Sequence, residues 1–273
     1  MRAASANSLH SAEAILHREL LGNSVDAMEV AENLYGVSDL LRSTPRVRMA
    51  MTDPGREAQD KSEFVKEMLS SAVTSQALNV LEELARGHWS SPDDVAVACE
   101  TLGNQAVFLA AENAGQLEAV EGELFAVHEF LGEHRELRIG LSDLGVGSAH
   151  DRAHFAARLF GDALSPYTSR LVRRTVRLSK HGRLTSRLRS LIKLAADRRN
   201  QVVATVTSAQ PLQPQQLERL RSLLQARYQK VVSINTVVDP SVLGGLSVEV
   251  GQHAINATVS SQIAQAKREL SHS

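Results

Sequence analysis

Apolar residues recur every three or four positions through the first 200 residues, which is the spacing of amphipathic helices. The clearest stripe consists of Leu117, Val120, Leu124, Val127 and Leu131. Similar stripes predict helices over 171–178 and 184–194. The segment 143–147 breaks this pattern, and Ser148 after it is a suitable N-cap for the next helix. Most of the chain is therefore predicted to be helical.

One stretch of the helical part resembles another ninety residues later. Residues 34–53 align without a gap to 124–143, and 61–64 align to 152–155 after one inserted residue. The identical pairs are Leu34/Leu124, Val37/Val127, Leu41/Leu131, Arg48/Arg138 and Asp53/Asp143. Because the match crosses a helix, a break and a second segment, it predicts a duplicated helical bundle. Copy 1 is assigned to 1–95 and copy 2 to 96–198, with Ser91 and Pro92 beginning the first helix of copy 2.

The pattern changes to alternation after about residue 199. Residues 201–208 and 231–238 predict strands, separated by a helix over about 215–227 that follows Pro214. A further strand is predicted at 246–250 and a last helix from about 258 to 270. The predicted fold is mainly α, with two tandem bundles followed by a small α+β module of order β-α-β-β-α at 199–273.

Residues 232–251 combine apolar, acidic and glycine positions in an unusual arrangement. Asp239 precedes a Pro-Ser turn, the pair Gly244 and Gly245 enters a second apolar run, and Gly251 ends it. From the residues alone this is a strand, a tight connection and a strand, with structural glycines. The segment resembles the C-terminal signature of the delta subunit of F-type ATP synthases, the family of the oligomycin-sensitivity-conferring protein.

The resemblance covers about 96–270, so copy 1 looks like an addition of the kind found in extended actinobacterial delta chains. The family pattern normally continues with an Ile-Asp-Gly-Ser turn into a helix. Here Ile255, Asn256, Ala257 and Thr258 stand at those positions. We expect the same turn, with Asn tolerating left-handed geometry and Thr capping the helix.

The resemblance implies a non-catalytic stator subunit of a proton-translocating ATP synthase, without a cofactor. Its implied partners are the alpha subunits of the catalytic head, gripped by the helical part, and the b-type peripheral stalk, bound by the C-terminal module. The implied location is the cytoplasmic face of the cell membrane. No run of 18 apolar residues and no signal peptide are found in the sequence, so membrane association is expected to come through these partners.

Composition supports a helical core and a reducing compartment. Only 4% of the residues are aromatic, which leaves Leu, Val, Ala and Ile to build the core. The single cysteine, Cys99, excludes an internal disulfide framework and is expected to be a small apolar filler.

Charge is distributed unevenly although the net charge is only -1. Residues 1–95 carry 9 basic and 15 acidic residues, whereas 151–200 carry 13 basic and 3 acidic residues. Such asymmetry indicates a docking face, a nucleic-acid site or complementarity within the chain. A partner-docking face is predicted at Arg173, Arg174, Arg177 and Arg187. The alternative is a nucleic-acid-binding regulator that uses 170–199; a leucine stripe and the lack of stacking aromatics there disfavour it.

Signatures of catalysis are missing from the sequence. His150 and His154 are spaced to share a helix face, but the glutamate of the familiar metalloprotease pattern is absent between them, and no Cys/His cluster adds ligands. No phosphate-binding loop, dinucleotide motif or nucleophile elbow occurs. Catalytic, cofactor-binding and metal-binding residues are therefore not expected, and a hydrolase is the least supported alternative.

Overall fold

The structure is a computed structural model that describes residues 1–21, 25–145, 147–199, 201–239, 245–250 and 253–258. Within these residues the chain is mainly helical, with twelve α-helices and four strands. It divides into two compact units, Met1–Ala195 and Ala196–Ser273. The predicted class of a helical protein with a small mixed module is confirmed at this level.

The first unit contains helices joined by short connections. They are α1 (Ala3–Glu19), α2 (Ala27–Ser43), α3 (Pro45–Thr52), α4 (Ala58–Leu69), α5 (Ser75–Arg86), α6 (Pro92–Asn113), α7 (Leu117–Glu133), α8 (Arg135–Leu141), α9 (Ala149–Phe160), α10 (Pro166–Arg177) and α11 (Leu184–Arg199). A single 3₁₀ turn, Gly161–Ala163, follows α9. The predicted caps are present: the side chain of Ser91 accepts from the Asp93 amide, and Ser148 forms a capping box with Asp151.

Four of these helices recur at a constant spacing. Helices α2 to α5, called the first set, begin 90 or 91 residues before α7 to α10, called the second set. Their apolar stripes are buried at equivalent positions, as for Leu34 and Leu124. A shared cap also explains one identical pair, because Arg48 donates to the Leu41 carbonyl at 2.8 Å and Arg138 donates to the Leu131 carbonyl at 3.0 Å. Each guanidinium thus satisfies a free carbonyl at a helix C-terminus.

Helix α6 lies at the centre of a core that contains residues from both sets. It packs closely on α2, where a Cβ added at Gly103 would lie 2.5 Å from the Tyr35 ring. Cys99 on the same helix is fully buried, and burial, followed by the nearby Glu100 charge, raises the pKa of its thiol to about 12. Cys99 is therefore a packed apolar side chain, as the sequence predicted.

The second unit contains a four-stranded sheet and one further helix. Its elements are β1 (Gln201–Ser208), α12 (Pro214–Tyr228), β2 (Val231–Val238), β3 (Gly245–Val250) and β4 (His253–Thr258), with strand order β2-β1-β3-β4. Strands β1 and β2 are parallel, as expected for a β-α-β crossover, and the other neighbours are antiparallel. Ala204, Val206, Leu224, Val232, Val248 and Val250 form its core.

One expectation for this unit is wrong. Residues 255–258 were predicted to form a turn into a helix, but they belong to β4, where Ile255 lies opposite Val248. Pairing with β3 satisfies the backbone of this segment, and β-branched side chains suit a strand. Leu223 on α12 is 61% exposed. The predicted last helix, beyond residue 258, lies outside the described residues.

Candidate functional site: the arginines of helix α10 and the C-terminal signature

Helix α10 contains four arginines, Arg170, Arg173, Arg174 and Arg177, and its other residues are apolar or carry a hydroxyl group. Its start is fixed by Ser165, whose side chain accepts from the Thr168 amide and donates to Glu123 at 2.7 Å. Pro166 occupies the first turn, where a missing amide hydrogen costs nothing. The orientation of the four arginines therefore follows from a well-defined helix start.

Arg174 is buried, with only 2% of its surface exposed. Its Nε and Nη2 donate to the carboxylate of Glu100 at 2.6 to 3.0 Å, and its Nη1 donates to Asp39 at 2.9 Å. Burial by itself lowers the pKa of a guanidinium, but these hydrogen bonds outweigh it and leave the pKa of Arg174 raised. Arg174 is thus a charged part of the core and does not lie on an exposed docking face.

Two neighbouring arginines also bind carboxylates of the first set. Arg177 lies 3.0 Å from Asp39, and Arg170 binds Glu32 with both nitrogens of its fork, one of them at 2.6 Å. The guanidinium of Arg170 lies 4.8 Å from the ring centre of Tyr35. Arg174 lies 4.7 Å from the same ring centre. The basic helix of one set is therefore joined to the acidic helix of the other by ion pairs and cation–π contacts.

Arg173 and Arg187 differ from these three residues. The Nε of Arg173 is buried and has no hydrogen-bond partner. Arg187 on α11 is half-buried, and its desolvation lowers the pKa of its guanidinium. The four predicted arginines are thus divided between a buried network, an exposed ion pair and two partly buried positions, and a common role in docking stays a prediction.

The partners of Arg174, namely Tyr35, Asp39 and Glu100, are not among the residues predicted from the sequence. A signal for them existed in the pattern. Glu100 follows the buried Cys99 within the apolar helix α6, and Arg174 lies three residues after Leu171 on the apolar stripe of α10. Two opposite charges on two buried faces indicate a pair, because a single buried charge would be too costly.

The signature of the C-terminal module joins two strands. The Asp239 amide donates to the Ser208 carbonyl at 2.9 Å, which holds the end of β2 against the end of β1. Gly245 begins β3 and lies opposite Thr258 of β4. The Pro-Ser turn with Gly244, and also Gly251, lie outside the described residues. A structural role for all four signature residues stays a prediction.

Metal-binding clusters of three or more suitable side chains are not found in the part of the chain that the structure describes. His150 and His154 do lie together, with ring centres 4.5 Å apart. Among the described residues, every helix is too short or too polar to cross a membrane.

Comparison with known proteins supplies the family. The family model described as ATP synthase delta (OSCP) subunit matches residues 104–270. The ATP synthase subunit delta of Kineococcus radiotolerans is 37% identical over 263 residues, which cover 96% of this chain and 95% of that protein. The subunits delta of Streptomyces griseus and Beutenbergia cavernae are each 36% identical over 270 residues, with 99% of both chains covered. The chain belongs to the ATP synthase delta (OSCP) family.

The two comparisons differ in how far they extend toward the N-terminus. The delta (OSCP) family model begins inside α6, so α1 to α5 precede the matched region. The full-length relatives align with nearly all of the chain, including these helices. The additional N-terminal segment is therefore a feature that this chain shares with long actinobacterial members of the delta (OSCP) family.

Proposed function

We propose that the chain is a non-catalytic stator subunit that joins the catalytic head of an F-type ATP synthase to its peripheral stalk. Rotation of a central stalk exerts torque on the head, and a connector of this kind holds the head in place. Membership of the delta (OSCP) family, with relatives named ATP synthase subunit delta over nearly the whole length, is the observation that carries the proposal.

Within this proposal, the first unit binds alpha subunits of the head and the second binds a b-type stalk. The division into two compact units supports a connector with two partners. Two contacts of modest strength, linked in one chain, hold a complex more tightly than either alone because each raises the effective concentration of the other. The proposed location is the cytoplasmic face of the membrane, reached through these partners.

The finer organisation is also part of the proposal. The first unit would be two tandem bundles, copy 1 at 1–95 and copy 2 at 96–198, with copy 1 adding contact area. The recurrence of four helices at a spacing of 90 or 91 residues supports a duplication. The module at 199–273 would be the α+β part that binds the stalk.

Helix α12 offers a surface for the stalk. Leu223 is 61% exposed on it, and an exposed leucine on a helix suits contact with another amphipathic helix. We place Leu223 in the stalk contact. The variant Leu223→Asp should release the stalk subunit, whereas Gln210→Asp, at an exposed position outside α12, adds the same charge as a control.

Affinity purification of the tagged full chain from membranes tests the function itself. We expect head and stalk subunits to co-purify, and we expect depletion of the chain to abolish ATP synthesis driven by a proton gradient while the head still hydrolyses ATP. A chain that purifies without any ATP synthase subunit would refute the proposal. If the subunits co-purify equally with Leu223→Asp and Gln210→Asp, only the placement of the stalk contact is wrong.

The nucleic-acid alternative receives no support from the comparisons. Arg170, Arg174 and Arg177 bind carboxylates of their own chain, which leaves fewer charges to neutralise a polynucleotide backbone. No second function is therefore proposed.

A further inference from the structure

A cavity of about 240 Å³ lies within the first unit, between α2, α9 and α10. It is lined by Glu32, His150, Ala153, His154, Arg170, Arg173 and Arg177. Six of these seven side chains are ionisable, and five are basic. Its volume accommodates a small polar ligand together with several water molecules. The lining is typical of a site for an anion rather than for an apolar molecule.

The charges around the cavity do not balance. Arg170 is paired with Glu32, Arg177 shares Asp39 with Arg174, and Arg174 also binds Glu100. Four guanidinium groups of α10 thus meet three carboxylates. Arg173 is the residue left over, because the described residues contain no ion-pair partner for it and its buried Nε makes no hydrogen bond. A guanidinium that lacks a carboxylate partner and lines a cavity can form charge-assisted hydrogen bonds to an oxyanion there, so a ligand that accepts from Arg173 would be stabilised.

At the equivalent position of the first set, the charged side chain has hydrogen-bond partners within the chain. Glu82 occupies the position of Arg173, 91 residues earlier. Its carboxylate accepts from Ser62 at 3.1 Å and from Arg86 at 3.0 Å. In the second set, Ala153 replaces the serine and provides no polar group. The same helix pair therefore lacks, in the second set, the anionic group that the first set supplies from its own chain.

The donors around the cavity identify the class of ligand. Guanidinium groups bind oxyanions with two parallel hydrogen bonds, and the two imidazoles add further donors when protonated. A carboxylate presents only two oxygens, whereas a phosphate group presents three or four to donors from several directions. We propose that this cavity binds a phosphate group, held mainly by Arg173 with contributions from Arg177, His150 and His154.

The bound phosphate can belong to a soluble molecule or to a lipid headgroup, and two arms of one experiment separate these sources. Calorimetric titration of the full chain with inorganic phosphate, at low ionic strength and near neutral pH, measures the soluble source. Co-sedimentation with phosphatidylcholine vesicles, with and without phosphatidic acid, measures the lipid source. Saturable binding in either arm supports the site, and absence of binding in both overturns it.

Variants inside and outside the cavity test whether phosphate binds there. Arg173→Gln should weaken binding about tenfold or more, since it removes a charged donor pair. His154→Gln should weaken it less. Arg189→Gln removes the same charge from an exposed position of α11 outside the cavity, and should change the affinity by less than about twofold. Equal losses in Arg173→Gln and Arg189→Gln would show nonspecific attraction and would overturn the proposal.

A charge reversal separates loss of the site from loss of the fold. Arg173→Glu reproduces the arrangement of Glu82 and Arg86, because Arg177 stands one turn later to bind the new carboxylate. We expect this variant to melt no lower than the unaltered chain and to bind no phosphate. Retained phosphate binding in a folded Arg173→Glu variant would contradict the assignment.

Discussion

The first and second sets of helices pack in the same way, but their last two helices carry opposite charge, acidic in α4 and α5 and basic in α9 and α10. Their helices begin 90 or 91 residues apart and bury equivalent apolar stripes. At equivalent exposed or half-buried positions, the first set has Gln59, Glu63 and Glu82, and the second has His150, His154 and Arg173. The buried apolar positions determine how the helices pack, whereas the exposed positions can carry either positive or negative charge. Much of the charge asymmetry along the chain thus serves complementarity within it, since Arg170 and Arg174 bind Glu32 and Asp39.

The largest difference between the sets is predicted at Arg174. Replacing it, as in Arg174→Ala, leaves the carboxylate of Glu100 buried without its main partner. Breaking a buried pair in this way costs about 3–5 kcal/mol. The free energy of unfolding of the full chain, measured by urea denaturation, should fall by that amount.

The matched control for Arg174 is Glu83, its equivalent in the first set. Glu83 is half-buried and lies 3.8 Å from Arg86, so Glu83→Ala should cost less than about 1 kcal/mol. Similar losses in the two variants would mean that the buried network contributes no more to stability than a surface ion pair.

Gly103 of α6 tests how closely that helix packs on α2 of the first set. In Gly103→Ala the new methyl group would meet the Tyr35 ring, which cannot move easily because its hydroxyl donates to Asn104 at 2.7 Å and two arginines lie over its face. Overpacking should exceed the gain in helix propensity, giving a net loss of about 1–2 kcal/mol in unfolding free energy.

An exposed glycine of the second set provides the control for Gly103. A Cβ at Gly122 of α7 meets nothing within 4 Å, so Gly122→Ala should leave stability unchanged or raise it by up to about 1 kcal/mol. Thermal melts of both variants give the comparison. If Gly103→Ala melts as high as Gly122→Ala, the contact between α2 and α6 is looser than described.

The local sequence pattern predicts most of the secondary structure and the helix caps. The tertiary contacts depend on which helices pack together, and the local pattern does not show this. Strands 201–208 and 231–238 have the predicted bounds, and the caps at Ser91 and Ser148 are as expected, since periodicity and capping are local properties. The burial of Arg174 was missed because its partner Glu100 lies 74 residues away. The strand at 253–258 departs from the family pattern, and the β propensity of Ile255 and Thr258 favours it.

The N-caps of α9 and α4 differ, and removing one or adding the other should change the unfolding free energy by about 1 kcal/mol in opposite directions. Ser148 caps α9 through a capping box with Asp151, whereas the equivalent cap of α4, Glu57, makes no side-chain hydrogen bond. Ser148→Ala should therefore destabilise the chain by about 1 kcal/mol. Glu57→Ser should stabilise it by a similar amount, because Asp60 stands where Asp151 does. Unfolding free energies of the two single variants and of their combination, which should nearly cancel, measure this.

The loss of unfolding free energy caused by Ser148→Ala should become smaller at acidic pH. Hydrogen bonds from the Ser148 side chain and backbone lower the pKa of Asp151 below its usual value. A lowered pKa in the folded state stabilises the fold above the unfolded pKa near 4 and ceases to do so as the pH falls through the lowered value. The difference between Ser148→Ala and the unaltered chain should therefore be full at pH 7 and smaller near pH 3. A difference that is constant across this range would show that Asp151 takes no part in the cap.

The smallest effect is expected where the sets differ by one methyl group. Gly36 and Ala126 occupy equivalent exposed positions of α2 and α7, and a Cβ at Gly36 would meet nothing within 4 Å. Gly36→Ala should raise the unfolding free energy by about 0.5–1 kcal/mol, because alanine loses less backbone entropy on entering a helix. Ala126→Gly should lower it by the same amount if the two helices are equivalent in exposure and regularity. If the two changes in unfolding free energy differ in magnitude, one of the helices is frayed or contacted at this position. The two sets would then be equivalent only in their buried apolar residues.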